Sequence, residues 1–337
     1  MSESADFLLD QRGASAELGA WVVAALFDAR GNLGFALGDG TLRLGLDGAT
    51  VAAHEGAVLA ACADAKDGFL TGGDDGRFLR IAPDGAITEL ASFGAMKWVE
   101  QVAAHESGLR AASLGKQLHL FDGKGATLKT LAHPSAVSGI AFDAKGKRVA
   151  ASHYNGASLW FVNSADDKPK ALEWKGSHSG IAISPDGTHV VTAMQENALH
   201  GWRLADGQHM RMSGYPTKTK SMGFTAKGRW LATAGAESVV IWPFFGGGPM
   251  GKAPTEIAGG DDVICTAVAC HPVHEVIAAG FEDGLVVMAE IASGKVVPIA
   301  APGRGAISAL RWNANGSRLA IGSETGFAAL VDLSKRP

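Results

Sequence analysis

A tight glycine turn that recurs along the whole chain limits what this sequence can fold into. The turn Ser184-Pro185-Asp186-Gly187 follows an alternating apolar stretch, and its proline and glycine supply the backbone angles that close a hairpin. The corresponding turns are 37 to 46 residues apart. They lie at Gly31, Gly68, Gly108, Gly146, Gly187, Gly228, His271-Pro272-Val273-His274 and Gly316. A repeat of this length built only from strands predicts a closed β-propeller.

The repeat around Gly187 shows the expected unit most clearly. Short apolar stretches separated by turn residues predict four antiparallel strands. These strands are His178–Ser184, Thr188–Ala193, Ala198–Leu204 and Gln208–Met212. Four strands in about 40 residues cannot bury both of their faces alone, so each unit needs neighbours of its own kind.

Counting the first strand of each unit predicts the number of blades. There are eight such inner strands: Trp21–Phe27, Ala57–Ala63, Trp98–Ala104, Val137–Phe142, His178–Ser184, Lys220–Thr225, Ile264–His271 and Ile307–Trp312. We therefore expect eight four-stranded blades, with seven as the alternative because the early repeats are irregular. The last repeat ends after Phe327–Leu333 without a fourth strand, so we expect Asp6–Gln11 to complete it and close the ring, which removes exposed sheet edges.

Three segments give the chain a family resemblance. Ser184-Pro-Asp-Gly187, Thr71-Gly-Gly-Asp-Asp-Gly76 and Asn197-Ala-Leu-His-Gly-Trp-Arg-Leu204 resemble WD40 repeats, and the resemblance covers nearly all of the chain. It implies that a histidine before each inner strand bonds to a turn acid, and that the tryptophans ending third strands pack between blades. The histidines near the first place are His54, His133 and His178, and the turn acids are Asp39, Asp75 and Asp283. The tryptophans that end third strands are Trp160, Trp202 and Trp242.

Composition and charge narrow the class of protein. Glycine makes up 45 of 337 residues, which suits a turn-rich β protein, and the net charge of −4 gives no support to a broad nucleic-acid-binding surface. No apolar run reaches the ~20 residues of a membrane helix, and the acidic start Met1–Asp6 does not resemble a signal peptide. The cysteines Cys62, Cys265 and Cys270 fit a reducing compartment. We predict one cytoplasmic domain, residues 1–337, that does not associate with membranes.

Two clusters carry chemically active residue types but fit structural roles. Gly246–Lys252 almost matches the phosphate loop GxxxxGK[ST], but Ala253 replaces the hydroxyl that binds Mg²⁺, and a strand follows where a helix is needed. Cys265 and Cys270 alternate to opposite faces of one strand, so they cannot share one zinc ion. We predict no metal and no cofactor, and leave open a surface metal site of Cys270 or His271 with His274.

The loops that lead into the inner strands are the predicted functional surface. Binding residues concentrate on loops held by a rigid scaffold, and tryptophan and tyrosine are enriched in binding hot spots. We expect Trp174 and Tyr215 to be exposed contacts, and Trp21 and Trp98 to pack between blades. The candidate partner-binding residues are Lys97, Trp98, Trp174, Lys175, His178, Tyr215, Lys218 and Lys220.

The sequence contains no recognisable catalytic motif such as GxSxG or HExxH. We therefore predict a non-catalytic scaffold that binds a protein or peptide, and the lysines favour a partner with an acidic segment. The alternative is a metal-handling protein or enzyme with a histidine-containing pocket at the mouth of the central channel. Nucleic-acid binding through the lysines is a third hypothesis, which the acidic net charge disfavours.

Overall fold

A computed structural model describes residues 6–166, 168–259 and 262–334, and the regular structure in these ranges is antiparallel sheet with one short helix. The elements in chain order are α1 (Leu8–Arg12), β1 (Gly13–Glu17), β2 (Val22–Phe27), β3 (Leu33–Leu37), β4 (Thr41–Leu44), β5 (Thr50–Ala52), β6 (Val58–Ala63), β7 (Phe69–Gly73), β8 (Arg77–Ile81), β9 (Ile87–Ser92), β10 (Val102–Ala104), β11 (Arg110–Leu114), β12 (Gln117–Phe121), β13 (Thr127–Ala132), β14 (Gly139–Phe142), β15 (Arg148–Phe161), β16 (Lys170–Ile183), β17 (His189–Met194), β18 (Ala198–Arg203), β19 (His209–Ser213), β20 (Met222–Phe224), β21 (Trp230–Thr233), β22 (Val239–Pro243), β23 (Thr255–Ile257), β24 (Cys265–Cys270), β25 (Val276–Phe281), β26 (Val286–Glu290), β27 (Val296–Ala300), β28 (Ile307–Trp312), β29 (Arg318–Ser323) and β30 (Phe327–Asp332). Across the described residues, no helix has the length and apolarity that a membrane crossing requires.

Within these ranges the strands form seven hydrogen-bonded sheets, so the predicted count of eight separate blades is wrong. Six sheets have four strands, and the seventh joins six strands, β14 to β19, which carry two of the eight sequence repeats. The two repeats merge because β15 and β16 each run for 14 residues. β15 turns back on itself near Asn155, since the Val162 amide donates to the Lys147 carbonyl (2.9 Å). β16 continues from the outer strand of one repeat into the inner strand of the next.

A strand from the beginning of the chain does complete the last sheet, but it is not the predicted one. Asp6–Gln11 was expected as this strand, whereas Leu8–Arg12 is a short helix and Gly13–Glu17 pairs antiparallel with β30. The register joins Gly13 to Val331 and Glu17 to Phe327. Leu9 explains the difference, because the helix buries this side chain against the last blade instead of extending it along the sheet edge.

The blades are held together by apolar faces that pack against their neighbours. Trp160, Trp202 and Trp242 end third strands and are buried between blades, as the family resemblance implied. Trp160 Nε1 also donates to His133 Nε2 (3.1 Å), and Trp242 Nε1 donates to the Tyr215 hydroxyl (2.6 Å). These polar ends are therefore satisfied inside the core, as buried indole N–H groups require.

Hydroxyl side chains join neighbouring inner strands around the channel. Thr266 Oγ1 donates to the Ile307 carbonyl (2.6 Å), and Ser138 Oγ donates to the His178 carbonyl. Ser308 Oγ donates to the Val22 carbonyl (2.7 Å), which joins the last repeat to the first. Thr266 and Ser308 lie at β-bulges, where one residue is left out of the ladder and its side chain is re-aimed.

At the opposite end of the channel, hydrogen bonds tie several of the turns after inner strands to a neighbouring repeat. Arg148 Nη2 donates to the Gly187 carbonyl (2.9 Å), and Arg318 Nη2 donates to the Gly31 carbonyl (3.0 Å). We call the surface made by these turns the turn face. The surface at the other end, made by the loops that enter the inner strands, is the channel face.

Candidate partner-binding face

The channel face opens into a cavity of about 620 Å³, which we call the channel mouth. It lies where four inner strands begin, so its walls come from β10, β14, β16 and β20 and from the loops before them. The lining residues are Gln101, Ser138, Gly139, Ile140, Ser179, Gly180, Ile181, Ala193, Gln195, Lys218, Thr219, Lys220, Ser221 and Met222. This lining is mostly hydroxyls, amides and two ammonium groups, which can bind a polar or anionic ligand.

The positive charge of the channel mouth comes from Lys218 and Lys220, both exposed on the loop before β20. Lys218 Nζ donates to Gln195 Oε1 (3.3 Å), and none of the described residues lining this cavity is a carboxylate. No ion pair therefore neutralises these ammonium groups inside the cavity. Two of the four predicted lysines therefore lie together in one site.

An apolar loop tip lies on the channel face, in the loop before β10. Met96 has a positive φ of 63° and an exposed fraction of 93%, and Trp98 is 57% exposed, with exposed Lys97 between them. A left-handed backbone at a residue with a side chain costs energy and often marks a functional loop. Trp98 was expected to pack between blades, and this expectation is wrong, as it is for Trp21, which is 52% exposed.

Trp174, Lys175 and His178 lie one repeat away from the lysine pair. Trp174 is half-buried and stacks on His200, with 4.0 Å between ring centroids and 15° between planes. His178 is 1% exposed, and it hydrogen-bonds through Nδ1 to Thr192 Oγ1 (2.7 Å) and through Nε2 to the Trp174 carbonyl (2.9 Å). Lys175 is exposed, whereas His178 is a structural residue that no partner can reach.

Tyr215 is not the exposed contact that the sequence predicted. It is 7% exposed, and its hydroxyl hydrogen-bonds to Thr233 Oγ1 (2.6 Å) and accepts from Trp242 Nε1. Burial raises the pKa of Tyr215 to about 12. The tyrosine takes the place that His133 has in another repeat, where the ring also receives a tryptophan N–H.

One repeat shows a fully bonded histidine and turn acid. His54 Nδ1 lies 2.9 Å from Asp75 Oδ1, and His54 Nε2 lies 2.9 Å from Thr71 Oγ1. Burial raises the pKa of Asp75, but the hydrogen bonds from His54 and from backbone amides outweigh it and hold the pKa below its usual value. Asp39 and Asp283 instead accept from amides of their own turns.

Comparisons with known proteins bear on the fold. No family model matches the chain. WD repeat-containing protein slp1 of Schizosaccharomyces pombe (strain 972 / ATCC 24843) is 27% identical over 122 residues, covering 34% of this chain. The match covers 25% of the yeast protein, so this chain corresponds to about a quarter of its length.

Two solved structures share the fold over nearly the whole chain. A computationally designed protein, Ika8, has a TM-score of 0.76 at 16% identity, covering 94% of this chain and 97% of the designed one. A chain of the mitotic checkpoint complex has a TM-score of 0.68 at 13% identity, covering 99% and 98%. These likenesses show that the chain has the β-propeller fold of WD repeat-containing proteins. The resemblance predicted from the sequence is confirmed.

The propeller core contains a fully buried histidine, His200. Neither Nδ1 nor Nε2 of His200 has a hydrogen-bond partner among the described residues, and the side chain is fully buried against Trp174 and Trp202. Burial, with the nearby cationic forms of His209 and His178 and the charge of Arg211, lowers the pKa of His200 to about 3. Folded His200 is therefore neutral at every mildly acidic pH.

Mild acid is expected to destabilise this WD40 propeller through His200. Unfolded histidine binds a proton below about pH 6.5, whereas folded His200 does not, so stability falls as pH decreases from that value. From pH 7.5 to 5.5 this histidine alone should lower the free energy of unfolding by about 1.4 kcal/mol. His200→Phe keeps a ring against Trp174 and removes the titration. Urea unfolding at both pH values checks this, and an equal loss in wild type and His200→Phe would contradict it.

The possible metal site of Cys270 or His271 with His274 is not supported in the WD40 propeller. His271 Nδ1 accepts from the Val273 and His274 amides (3.1 and 3.0 Å), and its Nε2 bonds to the Gly316 carbonyl (3.2 Å). Both ring nitrogens therefore hold the turn. Within the described ranges, no group of three or more His, Cys, Asp or Glu side chains is placed to hold a metal ion.

The glycine-rich loop Gly246–Lys252 resembles a phosphate loop in sequence, but its backbone groups point the other way. Lys252 Nζ donates to the carbonyls of Phe245, Gly246 and Gly248, the last at 2.9 Å. A phosphate loop points backbone N–H groups at its ligand, whereas this loop points carbonyl oxygens inward at its own lysine. Lys252 therefore organises the loop and is not free to bind a phosphate.

Sequence reasoning missed parts of the channel face. It did not single out Met96, Gln101, Gln195 or the serines of the channel mouth. A weak signal was present, because Ser138, Ser179 and Ser308 recur at corresponding positions near the start of inner strands. The cavities themselves arise from packing between repeats, which no single repeat encodes.

Proposed function

We propose that this WD40 propeller is a non-catalytic scaffold that binds a protein or peptide partner over the channel face. The observation that carries the proposal is the channel mouth, where Lys218 and Lys220 line a cavity of about 620 Å³ with no carboxylate in its described lining. Charges that are not paired within the protein favour a ligand of the opposite sign. The partner segment in the cavity is therefore acidic.

The exposed tip of Met96, Lys97 and Trp98 extends the proposed surface. An aromatic side chain beside an uncompensated cation is typical of a binding hot spot, because the ring supplies contact area and the charge supplies specificity. Trp174 and Lys175 belong to the same face one repeat further along. A propeller chain in the mitotic checkpoint complex is part of a protein assembly, which supports the same class of function here.

Two other functions are less well supported. An enzyme or metal-handling protein would use histidines at the channel mouth, but none lines this cavity among the described residues. Nucleic-acid binding would need a broad basic surface, and exposed Glu196, Glu237 and Glu282 share the channel face with the lysines. The proposed location is cytoplasmic, since all three cysteines are free thiols.

Reversing the charge of the channel mouth is expected to abolish partner binding. The double variant Lys218→Glu and Lys220→Glu should lose at least tenfold in affinity for the partners that wild type recovers in affinity purification. Both lysines are exposed, so its unfolding should match wild type. The matched control is Lys145→Glu with Lys227→Glu, two exposed lysines in turns of the turn face. Unchanged binding by the channel-mouth variant would contradict the proposal.

A further inference from the structure

A second cavity adjoins the channel mouth at its two lysines. This cavity of about 210 Å³, the middle cavity, shares Lys218 and Lys220 with the channel mouth and lies between β20 and β24. The other side of the middle cavity carries Glu282, on the turn after β25. One continuous groove therefore leads outward from the channel, with cations at its inner end and an anion further out.

A third cavity of about 230 Å³, the outer cavity, is lined by residues adjacent in sequence to those of the middle cavity, such as Val263 beside Ile264 and Asp283 beside Glu282. The turns that end β21 and β25 line both outer parts, since Gly235 and Glu282 lie in the middle cavity and Glu237 and Asp283 in the outer one. The floor of the outer cavity is apolar. It is made by Val263, Phe281, Leu285, Val287 and Val296.

The outer cavity has the size and lining for one apolar side chain. Phe281 and Val287 are buried at its base, while Val296 is 42% exposed at its edge. An apolar recess with a few polar groups at its rim is the usual form of a specificity pocket in peptide recognition. Glu237 and Asp283 supply that rim, and both are exposed.

Three of the charged side chains along the groove have no partner among the described residues. Among the described residues, the side chains of Lys220, Glu237 and Glu282 take part in no ion pair and no hydrogen bond. Lys220 and Glu282 line the same cavity without pairing with each other. Groups of opposite sign are instead separated along the groove, with ammonium groups at the inner end and carboxylates at the outer end. Such an arrangement recognises a ligand that carries the complementary charges in a fixed order.

We propose that the partner is an extended peptide with an acidic residue in the channel mouth and, further along, a bulky apolar residue next to a lysine or arginine. The apolar side chain fills the outer cavity, and the basic residue contacts Glu237 and Glu282. This inference rests on the proposed function and adds the partner's sequence chemistry. A compact anion could satisfy only the lysines, and a uniformly acidic segment would be repelled by the outer carboxylates.

Selection from a display library of random twelve-residue peptides tests this proposal. Full-length wild type is compared with Lys218→Glu/Lys220→Glu and with Glu237→Lys/Glu282→Lys. Urea unfolding curves first establish that each variant is folded. Controls on the turn face are Lys145→Glu/Lys227→Glu and Glu106→Lys. Wild type is expected to enrich peptides with both features. In Lys218→Glu/Lys220→Glu the enrichment of acidic residues should fall at least tenfold. In Glu237→Lys/Glu282→Lys the enrichment of basic residues next to apolar ones should fall at least tenfold.

The outcomes separate this inference from the function on which it rests. If wild type enriches acidic peptides without an apolar and basic pair, and Glu237→Lys/Glu282→Lys changes nothing, the groove proposal is wrong while the scaffold proposal stands. If neither variant alters the selected peptides, both proposals are wrong. If the control variants change selection as strongly as the groove variants, binding lies elsewhere and the groove proposal is wrong.

Discussion

Deleting residues 1–17 is expected to lower the free energy of unfolding by on the order of 7 kcal/mol, about five from β1 and about two from α1, and to cause aggregation. Gly13–Glu17 pairs with β30 over five residues, and about five backbone hydrogen bonds at about 1 kcal/mol each are lost with it. The deletion also exposes β30 as a sheet edge, which other chains can pair with. Urea unfolding followed by tryptophan fluorescence, with light scattering for aggregation, measures both effects.

Deleting residues 1–12 is the matched control, because it removes α1 and leaves β1. The expected loss is about 2 kcal/mol, since Leu9 is the buried side chain of that helix and full burial of a leucine contributes about 1.5–3 kcal/mol. The oligomeric state should stay that of wild type because β30 stays covered. Equal stability of the two deletions would show that β1 does not hold the ring closed.

Asp64→Asn is expected to destabilise the protein by about 3–5 kcal/mol, the range seen when one partner of a buried ion pair is removed. Asp64 accepts from Arg110 Nε and Nη2 (2.9 and 2.8 Å) and from Arg80 Nε (2.8 Å). The Asp64 carboxylate is 3% exposed and the Arg110 side chain 8%. The amide leaves the Arg110 charge buried without its counter-charge. Chemical denaturation at pH 7 measures the loss.

Asp67→Asn provides the comparison for Asp64. Asp67 also pairs with Arg80 and with Arg30, but its side chain is 21% exposed, so solvent screens the pair and the expected loss is about 1 kcal/mol or less. A loss at Asp64 no larger than that at Asp67 would contradict the prediction.

Acid should remove the contribution of Asp64 in wild type. Burial raises the pKa of this carboxyl, but the Arg110 hydrogen bonds outweigh it and the pKa lies below its usual value. The contribution is therefore complete above the unfolded value of about 3.9 and is lost as pH falls through the folded pKa. Asp64→Asn should lack this part of the acid dependence.

The repeat was readable from the sequence because its turns need particular residues. Gly31, Gly187 and Gly316 have positive φ, which favours glycine over residues with a side chain. Because this requirement is local, each turn can be recognised in the sequence without knowledge of the fold. The segment that closes the ring was placed wrongly, since Phe7-Leu8-Leu9 suits a strand as well as one turn of helix. Contact with the last blade decides between the two, and that contact is a tertiary effect.

The candidate site was readable only in part. Lys218 and Lys220 were predicted and lie together in the channel mouth. Tyr215 was misplaced because its flanking residues are polar, whereas its hydroxyl is buried between Thr233 and Trp242. The count of separate blades failed for a related reason. Nothing in the sequence of residues 148–183 indicates whether pairing stops between two repeats or continues through them.

The register of β1 on β30 determines how the ring responds to a pulling force. Gly13 and Val331 are cross-strand partners, so both ends of the chain leave the sheet at the same point. Tension between the ends therefore loads one cross-strand pair at a time. β1 then separates from β30 pair by pair, starting at Gly13 and Val331. Ser308 and Val22, bonded near the axis, bear load only after that strand is gone. Mechanically, the ring yields first at its rim.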